Sequence, residues 1–398
     1  MMSFERLSEP TKYLIQICSH LHPVAIPVDI FKRVRFFEGD DFLENEVSMT
    51  EMQRFLSSFP EENLLYNSID ELSQFSLVAY DSGEDCLMFH SIIHECAHET
   101  TLQHTQLDMG VTILLGRATP LGQSEEDYLF RRQLFIHAQH IQWKQLPTIY
   151  TRRCMAEIFE TCGYWIQAEV LRDEVLQLQK QMIGEHHPDT LTSMAELAMT
   201  YHRRGKPEEA EKLVEEVLLL RRQVIGEHHP DTLTSMNNLA TTYHHCGKLE
   251  EAEKLGEKVL LLRKQVIGEH HPDTLTSMNN LAMTYRHCGK LEEAEKLGEE
   301  VLLLCKQVVG EYHPDTLTSM GNLAATYLAC GKLQEADKLG EEVLLLQKQV
   351  IGEHHPSTLT SMNNLAMTYL DCGKLEEAEK LEEEVLLLRK QVIGEHHP

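Results

Sequence analysis

The stretch at residues 273–314, DTLTSMNNLAMTYRHCGKLEEAEKLGEEVLLLCKQVVGEYHP, decides the fold, because close copies of it recur along the chain. Junctions that end in a proline return every 42 residues, at Pro188, Pro230, Pro272, Pro314, Pro356 and Pro398. Six such units fill residues 147–398, and the first is degenerate. A fixed period of this length predicts a solenoid of stacked repeats.

Each unit is predicted to form a helical hairpin. The first helix carries an apolar stripe with helical spacing at Met278, Leu281, Ala282 and Tyr285. Pro272 suits the first position of this helix, and Gly289 ends it. A second apolar stripe follows before Gly310 and predicts the second helix. One hairpin cannot bury both of its faces alone, so neighbouring units are expected to stack.

The order Leu281-Ala282, Tyr285, Gly289 and Ala294 resembles the tetratricopeptide repeat (TPR). The 42-residue length, the Asn-Asn-Leu-Ala string and the His-Pro-Asp junction are similar to the long variant in kinesin light chains and in many NLR-like signalling proteins. The resemblance implies a mainly all-α TPR solenoid that acts as a non-catalytic scaffold for protein–protein interaction. The pattern departs from the family at Gly256, Gly298 and Gly340, which predict either looser packing or a closer approach of helices.

The first 146 residues lack this repeat. Residues 9–32 predict two short helices, and residues 76–80 and 86–89 predict a strand hairpin around Asp81-Ser82-Gly83. The strings QICSHLHPVAIPVDIF, LSQFSLVAY and FHSIIHECAHE resemble the winged-helix region of NLR-like (NB-ARC/STAND) proteins. We therefore expect a winged-helix-like α+β domain at 1–105, a helical connector at 106–146 and six TPR units at 147–398.

No phosphate-binding G-x-x-x-x-G-K-[ST] string occurs in the chain, so no nucleotide cofactor is expected. The resemblance implies the sensor or scaffold part of an NLR-like regulator, with two arrangements open. The chain is either part of a larger protein, with an upstream nucleotide-binding domain or further C-terminal repeats, or a free-standing scaffold. A kinesin-light-chain-like adaptor is the alternative of the second kind, although the front segment lacks its expected heptad coiled coil.

One motif suggests an enzyme. His94-Glu95-Cys96-Ala97-His98 matches the H-E-x-x-H string in which two His bind zinc and Glu acts as a base. We favour a packing role, in which Phe89, Ile92, Ile93, Cys96 and Ala97 form a core face and the two His point away from it. The prediction is therefore no catalytic residues and no metal site, with a zinc-dependent hydrolase as the alternative. The His pairs at the junctions, such as His270-His271, are predicted to lie in exposed turns.

The amino-acid composition limits the classes of binding partner that we expect. A formal charge of −27 disfavours nucleic acid and anionic membrane surfaces. Ten cysteines without a C-x-x-C pair predict reduced thiols and a cytoplasmic location. A protein or peptide is the partner class that remains.

The face of each first helix opposite its apolar stripe is the predicted binding surface. TPR proteins use this face as a concave groove, and Asn suits a peptide groove because its amide both donates and accepts hydrogen bonds. The predicted contacts are Asn237, Asn238, Asn279, Asn280, Asn322, Asn363, Asn364, His202, Arg203, His245, Arg286 and His287. The alternative for the Asn residues is that they only brace neighbouring repeats.

Charge changes along this predicted groove. The first helices end in His202-Arg203, His244-His245, Arg286-His287, Leu328-Ala329 and Leu370-Asp371. The groove is thus predicted to be basic in its earlier repeats and apolar to acidic in its later ones. A ligand with an acidic portion beside an apolar one would fit this polarity.

Overall fold

The structure is a computed structural model that describes residues 4–34, 54–100, 104–122, 124–141 and 148–393. The chain divides into two compact units, Met1–Gln179 and Lys180–Pro398. The repeats are numbered 1 to 6 from residue 147, so that repeat 4 is residues 273–314. The first hairpin of the repeat pattern lies mostly in the N-terminal unit, and repeats 2 to 6 form the C-terminal unit.

The N-terminal unit combines helices with a small sheet. After a 3-10 turn at Phe4–Arg6, its helices are Glu9–Cys18, Asp29–Arg33, Glu62–Gln74, Ser91–Glu99, His104–Ala118, Glu125–His140, Ile149–Thr161 and Trp165–Met182. Strands β1 (Ile26–Pro27), β2 (Val78–Asp81) and β3 (Cys86–Phe89) form an antiparallel sheet in the order β1-β3-β2. The predicted hairpin is confirmed, and β1 is an additional strand.

The predicted core face of the helix Ser91–Glu99 is right in part, because Phe89 and Ala97 are buried and Ile93 packs against the core, but it is wrong for Ile92 and Cys96. His94 and Ala97 are buried, whereas Ile92 and Cys96 are exposed. The imidazole is accommodated because its Nε2 lies 3.0 Å from the carbonyl oxygen of Cys18 and 2.9 Å from that of Leu21. The Cys18 carbonyl ends the helix Glu9–Cys18 and that of Leu21 lies just beyond it, where backbone acceptors lack partners within the helix. A buried His that satisfies them therefore replaces the expected Ile.

The C-terminal unit confirms the helical hairpins. The first helices are Pro188–Arg203, Pro230–His245, Pro272–His287, Pro314–Ala329 and Pro356–Asp371. The second helices are Pro207–Ile225, Leu249–Val266, Leu291–Val308, Leu333–Val350 and Leu375–Ile393. Gly289 and Gly310 end the two helices of repeat 4 at φ values of 76° and 104°, a left-handed conformation that favours glycine. The apolar stripe of each first helix is buried, as Met278 and Leu281 show.

The His-Pro-Asp junction starts each first helix. At the start of the helix Pro272–His287, Nδ1 of His271 accepts a hydrogen bond from the Asp273 amide at 3.2 Å, with Pro272 at the first helical position. The hydroxyl of Thr274 donates to the carbonyl of Gly268 at 2.7 Å and fixes the preceding turn. The same His cap recurs at the other junctions, and the capping His is exposed at each of them except at the half-buried His355.

Neighbouring repeats are joined by a recurring set of polar contacts. The hydroxyl of Tyr285 donates to Glu257 of the preceding repeat at 2.8 Å, and Lys290 pairs with Glu253. Gly298 lies so close to the next first helix that a Cβ there would be 3.0 Å from Cδ1 of Leu323. The same closeness occurs at Gly256 and Gly340. Of the two alternatives for these glycines, the closer helix approach is confirmed.

Candidate functional site

The first helices of successive repeats lie side by side in repeats 3 to 6, so residues of one helix reach the next. The predicted groove residues lie along this layer at three levels of exposure. Asn237 and Asn279 are buried at 9% and 8% exposure. Asn238, Asn280, Asn322, Asn363, His202 and Arg286 are half-buried, and Asn364, Arg203, His245 and His287 are exposed.

The two buried Asn residues bond to the following repeat. Oδ1 of Asn237 accepts from the hydroxyl of Ser277 at 3.2 Å, and Nδ2 of Asn279 donates to Ser319 at 2.6 Å. The neighbouring first helix covers this side of each helix, which a single-helix projection does not reveal. Their geometry matches the bracing alternative, and direct ligand contact by Asn237 and Asn279 stays a prediction.

A row of imidazoles runs along the ends of the first helices in repeats 2 to 4. The ring centroids of His202 and His245 are 4.1 Å apart, and those of His244 and His287 are 4.6 Å apart. Burial, followed by the neighbouring His287, His245 and Arg286, lowers the pKa of His244 to about 4. Burial is also the main cause that lowers the pKa of the other three imidazoles. The row is therefore neutral at pH 7.

Beyond this row, Arg286 borders a cavity. The cavity measures about 240 Å³ and is walled on its other sides by repeats 5 and 6, including Leu328, Leu365 and Met367. Nε of Arg286 is buried and has no hydrogen-bond partner among the described residues. Burial lowers the pKa of Arg286, and an arginine remains cationic at pH 7 in any case. A half-buried cation beside an apolar wall can bind a carboxylate that carries an apolar neighbour.

Sequence reasoning missed a second arginine position, which lies in the second helices. Arg221 and Arg263, in the second helices of repeats 2 and 3, are 8% and 2% exposed. Arg263 donates to the carbonyl of Asp273, to Ser277 at 2.8 Å and to Thr234 at 3.1 Å. The signal was present in the sequence, because this position in the Leu-rich second helix changes from Arg to Cys305 and Gln347 in repeats 4 and 5.

The zinc-site alternative finds no support in the geometry. His94 bonds to two backbone carbonyls, and Nδ1 of His98 lies 3.2 Å from the carbonyl of Ser19. Across the described ranges, no group of three or more His, Cys, Asp and Glu side chains is arranged to hold a metal ion. The H-E-x-x-H string therefore packs against the helix Glu9–Cys18 instead of presenting two free imidazoles.

In the part of the chain that the structure describes, no helix has both the length and the apolar character that crossing a membrane requires.

A family model described as tetratricopeptide repeat matches residues 146–218, 196–257, 232–287, 276–344 and 321–391. None of the curated proteins matches the sequence. The crystal structure of a Podosopora anserina putative kinesin light chain with nearly identical TPR-like repeats is 34% identical, with a TM-score of 0.44. That match covers 52% of this chain and 97% of the other.

Two further solved structures are similar at lower identity. A STAND protein with a tetratricopeptide repeat sensor from Pyrococcus horikoshii is 16% identical over 97% of this chain and 58% of its own, with a TM-score of 0.45. A Rap protein complexed with Competence and Sporulation Factor is 10% identical over 87% of this chain and 97% of its own, with a TM-score of 0.47.

Proposed function

Because this chain belongs to the tetratricopeptide repeat family, whose solenoid fold is typical of protein–protein interaction scaffolds, we propose that repeats 2 to 6 bind a peptide or protein segment along their first helices. The chain acts as a non-catalytic scaffold or sensor. Its formal charge of −27 disfavours nucleic acid and anionic membranes as partners.

The observation that carries the proposal is the cavity beside Arg286. Folding partly buries this guanidinium without an acidic partner among the described residues, which is costly unless a ligand later provides one. The wall made by Leu365 and Met367 favours an apolar group next to that acid. The ligand is therefore a peptide with a carboxylate, from Asp, Glu or its own C-terminus, beside an apolar side chain.

The exposed Arg203 and the imidazole row extend the site toward repeat 2. We assign the exposed and half-buried Asn residues, such as Asn364 and Asn322, to the peptide backbone, because an amide can donate and accept along an extended strand. The N-terminal residues, read as a winged-helix-like domain at 1–105 and a connector at 106–146, fit a cytoplasmic NLR-like regulator of which this solenoid is the sensor.

A peptide library displayed on phage tests the proposal directly. We expect the full chain to enrich sequences that place Asp, Glu or a free C-terminus next to apolar residues. Arg286→Leu, which copies Leu328 at the equivalent position of repeat 5, should weaken a selected peptide by about 10- to 100-fold, the value of one charge-assisted bidentate pair.

The matched control is Arg222→Leu, because Arg222 lies in the second helix of repeat 2 and outside the cavity. This variant should bind the selected peptide like the wild type. Enrichment of peptides without acidic groups, or equal binding by Arg286→Leu and the wild type, would refute the proposed polarity.

A further inference from the structure

Two of the junctions between repeats hold a buried arginine, and their contacts indicate what a pocket at a third junction can bind. Arg221 and Arg263 each place a guanidinium between two consecutive repeats. Each guanidinium donates to a carbonyl at the start of the next first helix, to a Ser hydroxyl one turn later, and to a Thr hydroxyl of its own repeat. Two junctions thus use the same three oxygen acceptors for one kind of group.

The junction between repeats 4 and 5 keeps the acceptors but lacks the arginine. The equivalent oxygens belong to the Asp315 carbonyl, Ser319 and Thr276, each 42 residues beyond its counterpart in the Arg263 set. Cys305 occupies the arginine position, is 1% exposed, and lies 3.4 Å from the Ser319 hydroxyl. A cysteine is too short to reach the other two oxygens.

The shortened side chain leaves a pocket, called here the Cys305 pocket. It measures about 80 Å³, and its lining includes Cys305, Asn279 and two of the three acceptor residues, Thr276 and Asp315. The third acceptor residue, Ser319, is fully buried beside Cys305. This volume is several times the ~10–15 Å³ of free space that one water molecule needs. Thr276 and Thr318 are exposed, so the pocket opens on the layer of first helices.

The hydrogen bonds around the Cys305 pocket differ from those around Arg263, where a guanidinium is present as a donor. Where Arg263 donates to the Ser277 hydroxyl, that hydroxyl in turn donates a hydrogen bond to Oδ1 of Asn237. Where Cys305 stands instead, Nδ2 of Asn279 donates to Ser319, and the Ser319 hydroxyl donates to the Asp315 carbonyl at 2.9 Å. Each of these oxygens keeps a further lone pair that can accept. The Thr276 hydroxyl donates a hydrogen bond to the Pro272 carbonyl, so the lone pairs of the Thr276 oxygen can still accept.

The charge of the pocket also favours a cation. The Asp315 carboxylate lies at the rim and raises the pKa of Cys305, although burial is the larger cause. In the preceding junction, the equivalent Asp273 faces the charge of Arg263. Replacing Arg by Cys305 removes that positive charge and leaves the carboxylate.

From this comparison we propose that the Cys305 pocket binds the guanidinium of an arginine side chain that a protein or peptide partner supplies from the groove. Guanidinium is planar with five donors in a fixed fork, which matches several oxygens better than the compact ammonium of lysine does. This site is independent of the carboxylate site at Arg286, which lies in the cavity of repeats 4 to 6.

Saturation-transfer NMR with the full chain provides the test, because it detects weak binding of small probes. The probe is Nα-acetyl-arginine methylamide, with the matching lysine derivative as control. We expect the wild type to bind the arginine probe at least about tenfold more tightly than the lysine probe. Cys305→Arg, which supplies the guanidinium from inside, should weaken arginine binding at least about tenfold.

Two further variants and a further probe complete the NMR experiment. Cys305→Leu fills the pocket with apolar atoms and should also lose the probe, whereas Arg222→Leu, which lies outside both the Cys305 pocket and the cavity at Arg286, should bind it like the wild type. Equal binding of the lysine probe, unchanged binding by Cys305→Arg, or no binding by the wild type overturns the proposal. Binding of agmatine without binding of the capped arginine also overturns it, because the site would then serve a free small molecule.

Discussion

The junctions before and after repeat 4 share a backbone design and differ in what fills them. On one side Arg263 closes the space between repeats 3 and 4 with three hydrogen-bonded contacts. On the other side Cys305 leaves a pocket between repeats 4 and 5. The His cap, the Thr bond and the Lys-Glu pair are the same at both.

This difference separates the scaffold from its binding sites. The features that hold the solenoid together recur every 42 residues, whereas the features suited to a ligand occur where one copy departs from the others. Arg286 is such a departure in the first helices, and Cys305 is one in the second helices. Exchanging side chains between equivalent positions of two repeats tests whether these departures set the properties of each junction.

The largest effect is expected from Arg263→Ala. The substitution removes a buried guanidinium and leaves a cavity in its place. The Asp273 carbonyl and the Ser277 hydroxyl each lose the donor that Arg263 provided. We expect local stability to fall by about 2–3 kcal/mol, measured by native-state hydrogen exchange in the helix Pro272–His287. Cys305→Ala is the matched control at the next junction and should cost about 1 kcal/mol. Equal costs would mean that the two junctions are not filled differently.

The second effect concerns pH. The folded pKa of His244 is about 4, below the ~6.5 of an unfolded imidazole, so the unfolded chain binds more protons between these values. Stability is therefore complete above pH 6.5 and decreases as the pH falls toward 4. Because His244 is only half-buried and solvent screens the interactions behind its shift, the loss at pH 5.5 relative to pH 7.5 should stay below about 1.4 kcal/mol, measured by hydrogen exchange in the helix Pro230–His245.

Exchanging the imidazole tests its role in this loss. His244→Leu copies Leu328 of repeat 5 and should reduce the pH dependence, whereas the exposed junction substitution His228→Leu should not. An unchanged profile in His244→Leu would assign the acid sensitivity to other groups.

The smallest effect should be the same on both sides of repeat 4. His271→Ala and His313→Ala each remove one N-cap acceptor and should each cost about 1 kcal/mol of helix stability. The measurement is again hydrogen exchange in the helix that each residue caps. A clear inequality would show that the junctions differ in more than the side chain at positions 263 and 305.

The sequence predicts the solenoid because its period, its apolar stripes and its helix-ending glycines are local properties. Asn279 is less predictable, because its burial depends on the neighbouring first helix and not on its own helix face. Hydrophobicity alone places His94 on the wrong side because it ranks Ile92 above an imidazole, and the deciding carbonyls lie about seventy residues earlier in the chain.

The two candidate sites differ in the same way. The change from Arg286 to Leu328 is visible among equivalent helix ends and predicts the polarity of the groove. The change from Arg263 to Cys305 is equally visible in the sequence. However, a Leu-rich helix does not indicate that an arginine within it is buried, or that its contacts show which group would bind where Cys305 stands. Only the three oxygen acceptors around each guanidinium supply that reason.

The most direct test of the central claim is a crystal structure of the full chain with a peptide selected from the phage library. We predict that a peptide carboxylate lies within hydrogen-bond distance of the Arg286 guanidinium and that an apolar side chain enters the cavity lined by Leu365 and Met367. A peptide bound along the second helices, or one that leaves Arg286 without a carboxylate, would contradict the account.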